Sequence, residues 1–369
     1  MDLSFLTERF GEGPVLAAGG LGIGMLFGFF GQKSRFCLRA AVIEFARGAI
    51  GVKVAVWLLT FGCALAGTQL LVATGLIDVS EARQLAARGS LSGALIGGAL
   101  FGVGMVLTRG CASRLLVLSA NGNLRALLSG LVFAVTAQAS YQGLLSPARE
   151  WLAGLWTVEG GPARDVAALI GLPPSAKLVF ALVWLAGAGF FAWRSRLFFW
   201  GWFGALGVGA MIAAGWWFTW TVAQASFDPV SLKSLTFSGP SAEVLMLVLS
   251  PPGNPVGFDI ALVPGVFLGS FIAAALSREL RLEGFRDGHA MRRYIAGAVA
   301  MGFGAMLAGG CAVGAGVTGG SIFAVTAWLA LVGMWAAAAL TDLLVDRLPE
   351  MRAAGAARPD TGHPAPVLP

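Results

Sequence analysis

The sequence predicts an all-α polytopic membrane protein of about nine transmembrane helices plus short broken or re-entrant helices, arranged as an inverted-topology repeat. Composition is the first reason. The chain is 57% hydrophobic and 12% charged, against roughly 25% charged in an average soluble domain, and its 53 glycines in 369 residues are about twice the usual share. Apolar runs near the ~20 residues a bilayer core demands recur along the chain. The third reason is internal repetition: Gly102-Val-Gly-Met-Val-Leu-Thr-Arg-Gly-Cys-Ala112 returns 200 residues later as Gly302-Phe-Gly-Ala-Met-Leu-Ala-Gly-Gly-Cys-Ala312, with six of eleven positions identical.

In chain order, Met1 to Pro14 carries Asp2, Glu8, Arg9 and Glu12 without a basic leader region, so no cleaved signal peptide is expected. Spans are predicted near 14–30, 54–76, 91–108, 126–146, 177–193, 198–222, 259–277, 293–309 and 322–343. The short ones, 14–30, 91–108 and 293–309, each end in a Gly/Arg/Cys corner. Short, glycine-interrupted spans at matching places in two halves mark a transporter's binding region. An earlier copy of the unit matches Gly24, Leu26, Phe27, Gly28, Arg35 and Cys37 to Gly98, Leu100, Phe101, Gly102, Arg109 and Cys111. A fourth copy, Gly207 to Trp216, puts Trp216 in the cysteine slot.

Charge sets the expected orientation. With the N-terminus outside and the C-terminus cytoplasmic, inner loops hold 18 of the 25 Lys and Arg residues, as positive-inside placement requires. The helices carrying Cys37 and Cys111 then run inward and those carrying Trp216 and Cys311 outward. Residues 1–345 read as one membrane domain of two inverted halves, about 14–146 and 177–343, joined by the outer loop 147–176. The pentapeptide Phe133-Ala-Val-Thr-Ala137 recurs as Phe323-Ala-Val-Thr-Ala327, supporting the duplication. Residues 346–369 read as a charged, Pro-rich cytoplasmic tail, disordered by composition.

The corners suggest an anion pathway. Unpaired N–H groups at a broken helix attract anions, Gly31, Gly110, Gly309 and Gly310 leave room for a small ligand, and Arg35, Arg39, Arg109 and Arg114 flank the first two cysteines. Three of four cysteines, Cys37, Cys111 and Cys311, share one slot of the repeat, whereas Cys63 stands alone. A neutral thiol meets a polarisable sulfur softly, so it binds without trapping. Blander readings stand beside these. Cysteines pack well between helices, Arg35 and Arg109 fit interfacial anchors, and Trp216, Trp217 and Trp220 fit an interfacial belt or a plug in the fourth corner. Asp342 reads as an interfacial carboxylate or a proton-coupling group. His289 and His363 lack metal-ligand spacing, no cofactor is implied, and the +6 balance reflects membrane orientation rather than nucleic-acid binding.

Gly31-Gln-Lys-Ser-Arg-Phe-Cys-Leu-Arg-Ala40, Arg109-Gly-Cys-Ala112 and Gly309-Gly-Cys-Ala312, in that order, resemble the YeeE/YedE family over about Pro14 to Leu344. The resemblance implies a bacterial inner-membrane protein that takes up thiosulfate or a similar small sulfur-containing anion through a narrow central pathway. Cys37, Cys111 and Cys311 would be the pathway thiols. It also implies a soluble TusA-like sulfur carrier on the cytoplasmic side, with membrane lipid around the bundle and no enzyme activity. The alternative is a membrane sulfurtransferase-like protein relaying sulfane sulfur from a cysteine persulfide. A soft-metal transporter is disfavoured because histidine, methionine clusters and carboxylates are missing from the corners.

Overall fold

The computed structural model describes residues 4–226, 228–251, 253, 255–284 and 288–349. Among these, nine helices are long and apolar enough to cross a membrane, and the only sheet is a two-residue antiparallel pair, β1 (Gly89–Ser90) with β2 (Thr157–Val158). The chain is therefore a polytopic all-α membrane protein. Backbone groups in hydrocarbon must be satisfied within their own segment, which favours helices throughout.

In order, the helices are α1 (Ser4–Phe10), α2 (Glu12–Ser34), α3 (Leu38–Ala46), α4 (Val52–Ala73), α5 (Arg83–Ala86), α6 (Leu91–Leu107), α7 (Ala112–Ala120), α8 (Leu124–Gln142) and α9 (Ser146–Gly154). There follow α10 (Val166–Leu169), α11 (Pro174–Arg194), α12 (Phe199–Ala225), α13 (Ser238–Leu249), α14 (Phe258–Leu276), α15 (Gly288–Leu307), α16 (Gly319–Ser321) and α17 (Val325–Thr341). A π-helical turn, Ala312–Thr318, lies between α15 and α16. Another, Asp342–Arg347, extends α17.

Glycine decides which helices meet. A Cβ at Gly24 of α2 would stand 2.5 Å from the Leu262 carbonyl oxygen of α14, and Cβ atoms at Gly98 and Gly102 of α6 would stand 2.5 Å from those of Ala330 and Met334 of α17. Without a hydrophobic drive between helices in lipid, such backbone approach supplies the packing. Helix α6 also runs against α15 in the opposite direction, since Gly93 faces Leu307 and Gly104 faces Gly297.

Several expectations change. Span 14–30 lengthens to α2, because Gln32 and Ser34 are buried with hydrogen-bond partners and so continue the helix past its apolar run. The fourth corner does not exist: α12 runs unbroken through Trp216, which is fully buried and donates from Nε1 to Ser321 Oγ at 3.3 Å. Trp216 is thus neither in an interfacial belt nor at a chain break. The loop 147–176 contains α9, β2, a 3-10 turn at Pro162–Arg164 and α10. Asp342 is 2% exposed and held bidentate by Arg47, both contacts at 2.9 Å, rather than sitting free at an interface. The expected tail begins later than 346, as Asp346 belongs to the π-helical extension and pairs with Arg293 at 2.8 Å; residues 350–369 and His363 lie outside the described residues.

Candidate substrate pathway

Three corners share one construction. At the ends of α2, α6 and α15, residues Arg35, Arg109 and Gly309 take left-handed φ of 56°, 59° and 77°. The chain then closes with paired hydrogen bonds: Arg35 N to Gln32 O and Phe36 N to Gly31 O, Arg109 N to Val106 O and Gly110 N to Met105 O, Gly309 N to Met306 O and Gly310 N to Ala305 O. This is the Schellman arrangement. The left-handed residue turns the chain, and two residues later a cysteine opens the next element. Cys37 caps α3, Cys111 caps α7 and Cys311 caps the π-helical turn. Each cysteine therefore sits where unpaired N–H groups make the local field positive.

The first two corners meet. The Cys37 and Cys111 side chains lie near each other, and Arg39 and Arg114 belong to the same cluster. Cys111 is 1% exposed and lies 3.5 Å from Ser113 Oγ. Arg114 Nη1 donates to Gln32 Oε1 at 3.4 Å, and Gln32 Nε2 donates to Glu279 Oε2 at 2.6 Å. Glu279 also pairs with exposed Arg35 at 3.5 Å. Arg39 lies 4.0 Å from Asp346. A cavity of about 420 Å³ opens beside this cluster, lined among others by Gln32, Arg35, Arg114, Arg278, Glu279 and Arg281.

Cys311 stands apart from that pair. Because α6 and α15 are antiparallel, the Gly309 corner lies beside the start of α6, some 24 Å of helix rise from Arg109. Cys311 is 1% exposed, and its Sγ accepts from Gly314 N at 3.5 Å. Neutral bonds fix the segment behind it: Gln69 Nε2 donates to Ser321 O at 2.7 Å, and Thr318 Oγ1 donates to Leu235 O at 2.7 Å.

Two clefts flank the Gly309 corner. One, of about 240 Å³, is lined by Arg83, Arg88, Arg149 and Arg164. Arg83 Nη2 donates to Gly309 O at 3.3 Å. Arg164 is 6% exposed and bonds Ala87 O at 2.6 Å and Thr326 Oγ1 at 2.8 Å. Burial, with a smaller push from Arg83, lowers its pKa to about 10, so it remains a cation at neutral pH. The other cleft, about 500 Å³, carries Glu81, Lys233, Glu243 and Asp259 as well as Arg83 and Arg149.

Sequence reasoning missed these groups around Gly309 and the Gln32–Glu279 link. Arg83, Arg88, Arg149 and Arg164 are far from any cysteine in sequence, and only folding brings them to Gly309. A local signal did exist for Glu243, a lone acid immediately before the apolar run Val244 to Leu249. Among the described residues no group of three or more His, Cys, Asp or Glu side chains is placed to hold a metal.

The sequence profile described as sulphur transport matches residues 33–340. The chain is 25% identical over 360 residues to a protein of Escherichia coli (strain K12) named thiosulfate transporter TsuA, covering 91% of this chain and 98% of that one. It is 28% identical over 335 residues to a thiosulfate transporter TsuA of Spirochaeta thermophila, covering 86% and 96%. A shorter stretch of 118 residues is 34% identical to a probable transporter YedE of Salmonella typhimurium. With most of its length matched and its cysteine corners inside that match, the chain belongs to the sulphur transport (YeeE/YedE) family of membrane transporters.

Proposed function

We propose that this protein carries thiosulfate, or a small sulfur-containing anion like it, inward across a bacterial inner membrane. The N-terminus is outside and the C-terminus is cytoplasmic, the orientation that places most basic residues inside. On this reading the arginine-lined clefts at Gly309 collect the anion from outside, and Cys311, then Cys111 and Cys37, contact it in turn. The Arg35/Arg114 cavity releases it to the cytoplasm, where a TusA-like carrier is the expected recipient. The two halves about the 147–176 connection form the inverted repeat around this route.

The observation that carries the reading is the gathering of Cys37 and Cys111, the residues that open α3 and α7, into one cluster with Arg39 and Arg114. A dianion leaving water there meets cations and weak thiol donors. Neither thiol is a permanent opposite charge that would hold it. A site for passage must bind well enough to admit its ligand and weakly enough to let it go.

The test is uptake of thiosulfate labelled on its outer sulfur into liposomes containing the purified protein. Intact thiosulfate accumulating inside, at a rate well above protein-free vesicles, is expected. Sulfite release with labelled sulfur left on the protein would replace this reading with the persulfide relay. No movement of label at any pH or membrane potential would end it.

A further inference from the structure

The larger cleft at the Gly309 corner holds six charges that cancel. Arg83, Arg149 and Lys233 face Glu81, Glu243 and Asp259 around about 500 Å³ of open volume. The smaller cleft, which shares Arg83, Arg149, Met306 and Gly309 with it, adds Arg88 and Arg164 and no acid. A wholly basic cleft thus adjoins a chamber whose walls are neutral overall. Gly309, Gly314 and Met306, the backbone region around Cys311, form part of that chamber's lining.

Within the chamber the acids are not equivalent. Lys233 Nζ donates to Asp259 Oδ2 in a close ion pair. Asp259 is only 8% exposed, and its other oxygen, Oδ1, is buried without a hydrogen-bond partner. Lys233 is also fixed through its backbone, its carbonyl accepting from Thr219 Oγ1 at 2.6 Å. Glu243, half-buried on α13, is without an ion pair or a hydrogen bond among the described residues. An ionisable side chain on an apolar helix that turns toward a cavity marks function in a membrane protein. Burial raises the Glu243 carboxyl above its ordinary range; neighbouring Asp259 adds to this and Lys233 opposes it. The other charged or titratable groups lining the chamber are Tyr141 from α8, Arg149 from α9, Glu81 and Arg83 from the α4–α6 connection, and Asp259 from α14.

We propose that Glu243 is a proton-binding site that governs admission of the anion to the Cys311 corner. A proton from outside water adds to the Glu243 carboxylate, giving the neutral acid, with no other bond made or broken. The chamber then changes from balanced to one net positive charge, and the half-buried carboxylate on α13 no longer repels a dianion. The Lys233–Asp259 contact keeps the chamber's shape. This inference rests on the anion-transport reading above and deepens it, assigning a proton as the co-ligand of the outer site.

The sign follows from linkage: a group that must be protonated for the anion to bind makes affinity rise as pH falls. Thiosulfate remains a dianion from mildly acid to mildly alkaline pH, so the substrate itself does not titrate there. In proteoliposomes, KM for thiosulfate should rise by up to about tenfold per pH unit above the Glu243 midpoint, the limit for one linked proton. Glu243→Gln, which mimics the neutral acid in shape and charge, should flatten that profile and give the wild-type acid-side KM at alkaline pH. Glu243→Asp should keep a profile with a displaced midpoint. As a second readout, purified wild-type protein mixed with thiosulfate in weakly buffered detergent should take up close to one proton per anion bound above the midpoint, and Glu243→Gln none. Wild-type transport independent of pH, a Glu243→Gln profile parallel to wild type, or uptake that follows sodium instead of protons would overturn the inference while leaving the transport reading in place. An inactive wild type at every pH would instead remove the transport reading on which it stands.

Discussion

The Arg109–Cys111 corner and the Gly309–Cys311 corner are built on the same backbone plan and equipped in opposite ways. Both end a long helix in a left-handed residue, close with the same pair of hydrogen bonds, and open the next element on a cysteine. At the first, the left-handed residue is itself an arginine, another arginine follows three residues after the cysteine, and a second corner brings a partner thiol. At the other, glycine turns the chain and the charges arrive from elsewhere: Arg83 from before α6, Arg149 from α9, Arg164 from the loop after it. One corner carries its chemistry in its own peptide; the other borrows it through the fold. A local motif can therefore specify a turn without specifying the electrostatics around that turn.

The sharpest way to break this comparison is through the thiols. Cys37 and Cys111 share one cluster, so they should act as one unit, whereas Cys311 should act alone. Cys111→Ala is expected to reduce thiosulfate uptake by ~10- to 100-fold, the scale of losing one donor to a buried charged ligand. The Cys37→Ala/Cys111→Ala pair should be little worse than either single change. Combining Cys311→Ala with either should multiply the losses, because sites without shared partners add in free energy. Proteoliposome uptake rates for the full set supply the cycle. Strict multiplication for Cys37 with Cys111 would show that their proximity is incidental.

A second contrast lies in how the two ends are anchored. The segment after Cys37 is held by charge, Arg47 gripping buried Asp342 at the end of α17 with two contacts of 2.9 Å. The segment after Cys311 is held by neutral bonds, through Trp216, Ser321, Gln69 and Thr318. Asp342→Asn removes the charge from a bidentate pair whose arginine is 39% exposed, a cost of roughly 2 kcal/mol. Trp216→Phe deletes one neutral donor, a cost of about 1 kcal/mol. Thermal unfolding in detergent should therefore place Asp342→Asn well below Trp216→Phe. The reverse order would mean that the neutral corner is the structural keystone.

Much of this architecture could be read before folding, and the limits of that reading are physical. Spans were visible because hydrocarbon demands long apolar runs, and α4, α8, α14 and α17 lie close to their expected places. The three cysteine corners were visible because a glycine-rich helix ending in an arginine or glycine two residues before a cysteine leaves a compact signature. Trp216 shows why a repeat alone is insufficient. Its segment keeps the glycine rhythm but lacks the left-handed residue two positions before the cysteine slot, and α12 continues through it. The Phe-Ala-Val-Thr-Ala echo makes the same point. Phe133 sits inside α8, while Phe323 takes a φ of 59° just before α17, so one pentapeptide serves as both helix interior and turn. The arginines around Gly309 and the Gln32–Glu279 link were hidden because each depends on residues that meet only after α6, α14 and α15 have packed.

The smallest effect separates the turn from the charge it carries. A non-glycine residue in the left-handed region gives up roughly 1 kcal/mol relative to glycine, so Arg109 is held at a conformational cost that Gly309 avoids. Cationic side chains at a helix C-terminus recover part of it through the helix dipole, and Arg35, Arg109, Arg196 and Arg278 all occupy such positions. A Cβ at Gly309 would meet nothing within 4 Å, so backbone strain is the sole penalty there. Gly309→Ala should then lower stability by about 1 kcal/mol with uptake nearly unchanged. Arg109→Gly should do the opposite, holding or slightly raising the melting temperature while slowing uptake, because it relaxes the turn and removes a cation near Arg39 and Asp346. Melting curves and uptake rates on both variants decide it. If Arg109→Gly unfolds the protein, that arginine is there for structure, and the first corner's positive charge is not kept for the passing anion.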